Sequence, residues 1–417
     1  MAADRLVVLS FPAMATEKHR WTFAPRFRQR AFGWKSQPAV KRVKEAVAEI
    51  KKVGRRDPIL AAEGAVLFLE RVSPALEQVD SSSGSIGTAV YDAIRELVPL
   101  IAKAPAGVET RQAWLERLFD ALQEDKIPYI EDLGDFWGEL CVVPEIASAW
   151  ADELIGTTRM ALSPDKNLRG YFKGTSACLA ALFEARRYEE ILEILSSESL
   201  WPYKRWAVKA LAALGRADDA ISLAENSRSS WASNDDIDAL CEEILLSAGR
   251  VEEAYESYGL SANRASTYLA TFRAVQKKYP HKEARRILAD LVATTPCEEG
   301  KWFAAAKDLG LYSEAIALAR QSPCDPRTLT RAARDFADSE PFFALEAGMT
   351  ALAWLVAGYG YDITAAEVLD AYTCTMQAAE KKGVAAQTRE HIRRLVATDT
   401  TGVGFVTQVL AKQLEIR

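Results

Sequence analysis

A chain of 417 residues exceeds one ordinary domain of about 100–200 residues; it suits two or three domains, or one extended repeat array. Hydrophobic residues make up 49% and charged residues 26%, a balance that excludes wholesale disorder. The formal charge of −6 excludes a nucleic-acid-binding polycation, although it hides +9 in the first 57 residues against −15 in the rest.

Residues 1–14 hold a short apolar stretch preceded by Asp4 and interrupted by Pro12, a poor match to a signal peptide; Met14 is a second possible start. Next, Trp21, Phe23, Phe27, Phe32 and Trp34 interleave with cations, making residues 1–35 a basic aromatic arm. Cations attract phosphates and rings stack on unpaired bases, so Arg26, Arg28, Arg30, Trp34 and Lys35 are candidates for contact with nucleic acid or another anionic surface. The plainer reading docks the rings onto a helical body and leaves the cations solvated.

From Ser36 onward nearly every periodic stretch is helical, and the alternation expected of strands is close to absent. Val40, Val43, Val47 and Ile50 mark a helix over 36–52. Asp57-Pro58 reads as an N-cap with proline at the first helical position. After a Ser/Gly loop at 81–87, helices are expected at about 88–103, 110–124 (N-capped by Thr110), 128–141 and 144–162. Ser163-Pro164-Asp165 is the expected boundary between an N-terminal helical domain, 36–165, and a repeat domain, 166–417. The longest uncharged run, Ala347 to Tyr361, falls short of the ~20 residues a bilayer span needs and reads as a buried helix with its turn.

The second half repeats itself. Five stretches align: Arg186-Arg-Tyr-Glu-Glu-Ile191, Gly215-Arg-Ala-Asp-Asp-Ala220, Gly249-Arg-Val-Glu-Glu-Ala254, Tyr279-Pro-His-Lys-Glu-Ala284 and Gly310-Leu-Tyr-Ser-Glu-Ala315. Their last residues are 29, 34, 30 and 31 apart, and an apolar helix flanks each on both sides. This is the pattern of helical hairpins, with glycine ending the first helix and a small residue letting the second pack close. A further turn is expected at Gly358 to Thr364. The spacing resembles the tetratricopeptide (TPR) repeat over roughly 172–330, most clearly at Gly310 to Ala319. From Trp21 onward the chain is also similar to a family of uncharacterised bacterial all-helical proteins. The stretches that carry this are Phe32–Pro38, Ala61–Glu70, Asp80–Ala89, Asn167–Gly174 and Lys301–Ala306. That resemblance implies an all-α fold and a bacterial cytoplasmic setting, and it carries over no catalytic residue.

In TPR-like proteins the first helix of each hairpin lines a concave groove. Counting back from each turn places Arg205, Lys209, Arg273, Lys277 and Lys307 on that surface, with Asp308 beside them. A row of cations suits an acidic peptide or a terminal carboxylate. A third candidate is acidic: Glu124, Asp125, Glu131, Asp132, Asp135 and Glu139. Paired carboxylates hold divalent cations or move protons, although solvated helix faces commonly carry them too. Arg169, Tyr171 and Lys173 lie in the linker between the halves, where ligand sites often form.

Chemistry is otherwise poorly marked. The three histidines, His19, His281 and His391, are dispersed, and the six cysteines contain no C-x-x-C pair. No Walker loop, G-x-S-x-G or H-E-x-x-H occurs, so neither a cofactor nor a metal is expected. Six scattered cysteines fit a reducing cytoplasm better than a disulfide framework. The expectation is an all-α protein of TPR-like hairpins in a curved solenoid: a cytoplasmic, non-enzymatic scaffold or adaptor for a protein or peptide. The alternatives are nucleic-acid association through the basic arm, or an enzyme with an unrecognised helical active site.

Overall fold

The computed structural model describes residues 19–228, 234–360, 362–399 and 404–416. The signal-like stretch and the Met14 start lie outside the described residues, as does Tyr361 of the expected late turn. The described residues are all-helical, with no strand, and they divide into two compact units, one ending at Ser227 and the other beginning at Arg228.

The first unit contains α1 (Ser36–Gly54), α2 (Pro58–Leu76), α3 (Ser85–Lys103), α4 (Val108–Glu124), α5 (Trp137–Cys141), α6 (Pro144–Ala161), α7 (Thr175–Glu184), α8 (Tyr188–Ile194), α9 (Trp201–Ala213) and α10 (Ala217–Glu225). Helices α1, α2 and α3 pack against one another, and α4 lies on α2. As the Asp-Pro pair predicts, Asp57 accepts the Leu60 amide at 2.9 Å and opens α2. Thr110 is not a cap: α4 begins earlier, at Val108, after Gly107 in extended conformation.

The basic arm is docked by its rings. Trp21, Phe23 and Phe27 are buried, and the Phe23 and Phe27 rings lie 5.9 and 5.2 Å from Phe68 of α2. Gly64 of α2 admits Trp21 so closely that a Cβ there would stand 2.2 Å from the indole. Burying three aromatic side chains in this way is worth several kcal/mol, roughly 2 for each.

The helix expected over 128–141 is split into a 3-10 helix, Glu131–Phe136, followed by α5. Asp125 explains the break. Its buried carboxylate accepts the Ser73 hydroxyl and, at 2.8 Å, the Ile130 amide, which pins the preceding segment as a turn around Pro128. The Ser163–Asp165 turn lies inside this unit, between α6 and α7, and those helices pack together.

The second unit contains α11 (Asn234–Ser247), α12 (Val251–Ala254), α13 (Tyr268–Lys278), α14 (Ala284–Ala293), α15 (Phe303–Asp308), α16 (Tyr312–Gln321), α17 (Pro326–Asp335), α18 (Pro341–Val356), α19 (Ala365–Lys381), α20 (Ala385–Val396) and α21 (Phe405–Leu414). Helix α12 runs on into one π-helical turn at Tyr255–Gly259. Among the described contacts, α17, α18 and α19 pack mutually.

The hairpin turns share one geometry. In α7–α8, α9–α10, α11–α12 and α15–α16 an amide reaches back five residues to a helix carbonyl: Arg187 to Leu182, Arg216 to Leu211, Arg250 to Leu245 (each 2.9 Å) and Leu311 to Ala306 (3.0 Å). This is the Schellman closure, and the residue before each amide is left-handed, with φ of 58° at Arg186 and 79°, 74° and 71° at Gly215, Gly249 and Gly310. Gly358 and Gly383 close α18 and α20's predecessor α19 in the same way. The α13–α14 turn departs from the pattern, because Pro280 has no amide to donate. Ile191, Ala220, Ala254 and Ala315 are fully buried at the start of their second helices, while Ala284 is only half-buried.

Candidate functional site: an arginine-lined cavity

Helix α17 has a sharply divided surface. Asp325 caps its N-terminus by accepting the Arg327 and Thr328 amides at 3.3 and 3.1 Å, and Pro326 occupies the first turn. Leu329, Ala332 and Ala333 face inward and are buried. Arg327, Arg331 and Arg334, at i, i+4 and i+7, share the outward face. That face borders a cavity of about 590 Å³ whose opposite side comes from Ile363, Glu367, Asp370 and Cys374.

The charges in the cavity are unequally engaged. Arg327 binds Glu367, which also accepts the Thr364 amide at 3.0 Å in the capping box of α19. These two bonds hold the Glu367 carboxyl below its ordinary range, with the Arg327 bond the larger cause. Asp325 is committed to capping α17. Arg334 pairs with its neighbour Asp335 at 2.9 Å. Arg331 donates to the Arg327 carbonyl and the Thr328 hydroxyl, at 3.3 and 3.0 Å, and meets no carboxylate among the described residues. Burial raises the Cys374 thiol above its ordinary value, so it stays protonated and makes a poor nucleophile. Asp370, the third carboxylate of the lining beside Asp325 and Glu367, adds to the rise of the Cys374 thiol, so three carboxylates face three arginines. Guanidinium groups can offer paired, charge-assisted donors to a carboxylate or phosphate.

None of these three arginines was singled out by sequence. The signal was present in Asp325-Pro-Arg-Thr-Leu-Thr-Arg-Ala-Ala-Arg334, but cations at helical spacing are common on solvated faces, and only the folded chain puts a cavity beside them.

The expected groove residues are divided between the units. Arg205 and Lys209 lie on α9 of the first; Arg273 and Lys277 on α13 and Lys307 on α15 belong to the second. Most are engaged at home. Arg205 binds Asp135, Lys209 sits 4.6 Å from the Trp206 ring centroid, and Lys307 sits 5.7 Å from that of Phe336. Arg273 binds Asp308 at 2.7 Å, and Lys277 is exposed one turn further along α13.

In the arm, Arg26 and Arg30 pair with Glu45 and Glu77 at 3.4 and 2.9 Å. Arg28, Trp34 and Lys35 remain exposed. The buried rings leave only Trp34 as an open stacking surface among the arm's candidates, which removes most of the aromatic part of a single-strand binding platform.

The acidic candidates and the linker do converge. Tyr171 donates to Glu131, Lys173 donates to the carbonyls of Gln123 and Asp125 at 2.6 and 2.5 Å, and Arg169 binds the buried Glu198 at 2.7 Å. Burial, then the neighbouring Asp135, raises the Asp132 carboxyl. Tyr171 thus ties the linker to the 3-10 segment, Lys173 ties it to the end of α4, and Arg169 ties it to the connection between α8 and α9, which is a structural use. Among the described residues no group of three or more His, Cys, Asp or Glu side chains is placed to hold a metal ion.

Fold and cavity together define an all-helical protein of repeated hairpins with a cavity lined by three arginines and three carboxylates. No protein-family model and no curated protein matches the chain.

Proposed function

We propose that this chain is a non-enzymatic, TPR-like scaffold or adaptor of the bacterial cytoplasm that holds an acidic segment of a partner protein in the α17–α19 cavity. The observation that carries the reading is Arg331: an exposed guanidinium that makes no ion pair among the described residues, in a cavity shared with Arg327, Arg334 and three carboxylates, of which Glu367 and Asp325 are already bonded to Arg327 and to the start of α17. A partner's carboxylate fits that vacancy in charge and geometry. The TPR-like part is supported by the recurring turn and by Arg273 and Asp308, two positions assigned to one groove surface by counting, which bind each other. A cytoplasmic setting is supported by six cysteines standing as free thiols, five of them buried.

Fluorescence anisotropy with a labelled oligoglutamate peptide tests this. The wild-type chain should bind it, oligolysine should not, and Arg331→Glu with Arg334→Glu should weaken binding at least about tenfold. Equal affinity of the variant for oligoglutamate would overturn the proposal.

A further inference from the structure

The face of α1 turned away from the core carries cations and no acid. With 3.6 residues per turn, Gln37, Lys41, Lys44, Ala48, Lys52 and Arg55 fall within an arc of about 80°. All six are exposed, opposite the buried stripe of Ala39, Val43, Ala46, Val47 and Ile50. Lys41, Lys44, Lys52 and Arg55 make no ion pair among the described residues, although the Lys41 charge helps lower the Glu45 carboxyl one turn along, where the bond from Arg42 is the larger cause. The ion pairs of α1 run along its flanks: Arg42 with Glu45 at 2.5 Å, and Lys51 with Glu96 of α3 at 2.6 Å. Its other acid, Glu49, is held by the Thr22 and Phe23 amides of the docked arm at 2.7 and 3.1 Å. Lys35 precedes the row and Arg56 follows it, both exposed. Large apolar side chains stand out near both ends: Trp34 is 73% exposed and Ile59 44%.

We propose that this face lies against an anionic membrane surface, with the net negative charge of the lipid headgroups as its ligand. Charge complementarity sets the sign of the partner, and the side-chain types select a bilayer over a nucleic acid. Recognition of a nucleic-acid backbone draws on hydroxyl and amide side chains to fix register, and single-strand binding draws on rings. Gln37 is the one amide side chain of the face; from Pro38 to Arg55 the chain has no Ser, Thr, Asn or Gln, and the arm's Trp21, Phe23 and Phe27 are sealed in the core. Flexible lysines with an exposed tryptophan suit a fluid headgroup layer, where each cation near the surface adds attraction and an indole settles at the interface. No described helix is long and apolar enough to cross a membrane, and peripheral contact of this kind needs none.

The test is cosedimentation of the full chain with phosphatidylcholine vesicles, with and without phosphatidylserine. Wild type should bind only the anionic vesicles and release as salt rises, because the attraction is screened. Replacing Lys41, Lys44 and Lys52 together by Gln should lower partitioning about a hundredfold, roughly fivefold per charge, with the circular dichroism spectrum unchanged. Trp34→Ala should weaken binding further without altering its salt dependence. Equal sedimentation with both vesicle types would overturn the proposal. So would unchanged partitioning of the triple variant, or duplex oligonucleotide binding lost in that variant while wild type ignores the vesicles.

Discussion

Arg111 is a buried cation with no carboxylate partner among the described contacts. Its guanidinium donates to the carbonyls of Ile101, Ala102 and Ala104 at the end of α3 and to Leu140 at the end of α5, over 2.9–3.4 Å. Helix C-termini concentrate partial negative charge, which makes such a site tolerable for a buried arginine even though burial lowers its pKa. Arg111→Met keeps most of the volume but withdraws the guanidinium from all four carbonyls, of which only those of Ile101 and Ala104 also accept a backbone amide among the turn bonds. A loss of about 2–4 kcal/mol in urea unfolding is expected, and a change below about 0.5 kcal/mol would contradict the role. Asp125 has a pH signature. Burial raises its carboxyl above the ordinary value, against the pull of Ser73, Ile130 and Lys173. The folded chain therefore keeps this proton to higher pH than the unfolded chain does. The associated stability is complete below the unfolded value of about 3.9 and is lost as pH rises through the folded one. Stability measured from acid to neutral pH should fall less in Asp125→Asn than in wild type; parallel curves would refute the assignment.

At the scale of the element, the hairpin turn sets which residues are interchangeable. Arg186 occupies the left-handed position that glycine fills at 215, 249 and 310. A side chain there costs about 1 kcal/mol, partly offset by glycine's looser unfolded chain. Arg186→Gly should thus raise stability by about 0.5 kcal/mol, and Gly215→Ala should lower it by about 1 kcal/mol, both read by thermal melts. Docking of the arm depends on Gly64 in another way, through space rather than φ. Gly64→Ala should expel the Trp21 ring, visible as a red shift in tryptophan emission with a loss of roughly 2 kcal/mol. The turns were legible in the sequence because glycine and its flanking alanines report local backbone needs. The break at Asp125 was not, because it depends on Ser73, 52 residues away.

For the whole molecule, the two units make separate predictions. The apolar core of the first gathers the arm's rings, α1 to α9 and the 3-10 segment into one cluster contained within that unit. A chain ending at Ser227 should accordingly fold alone, with a helical spectrum and one cooperative melt; a broad, non-cooperative transition would refute this. Charge is also uneven at this scale. The excess of +9 near the N-terminus resides partly in α1, whose basic face is opposite its buried stripe.

The sequence by itself determined the helical class, the hairpin turns and the lopsided charge, because helical periodicity, glycine at helix ends and residue counts are local properties. It also marked the arm's rings and cations without deciding between stacking on a ligand and packing on the chain. Tertiary structure decided that, by giving Trp21, Phe23 and Phe27 partners on α2. It likewise decided which cations have partners. Arg205 meets Asp135 across 70 residues of chain and Arg273 meets Asp308 across 35, while Arg331 finds no carboxylate among the described residues and borders a cavity. Pairing over such separations depends on how helices are placed in space, which no local pattern encodes.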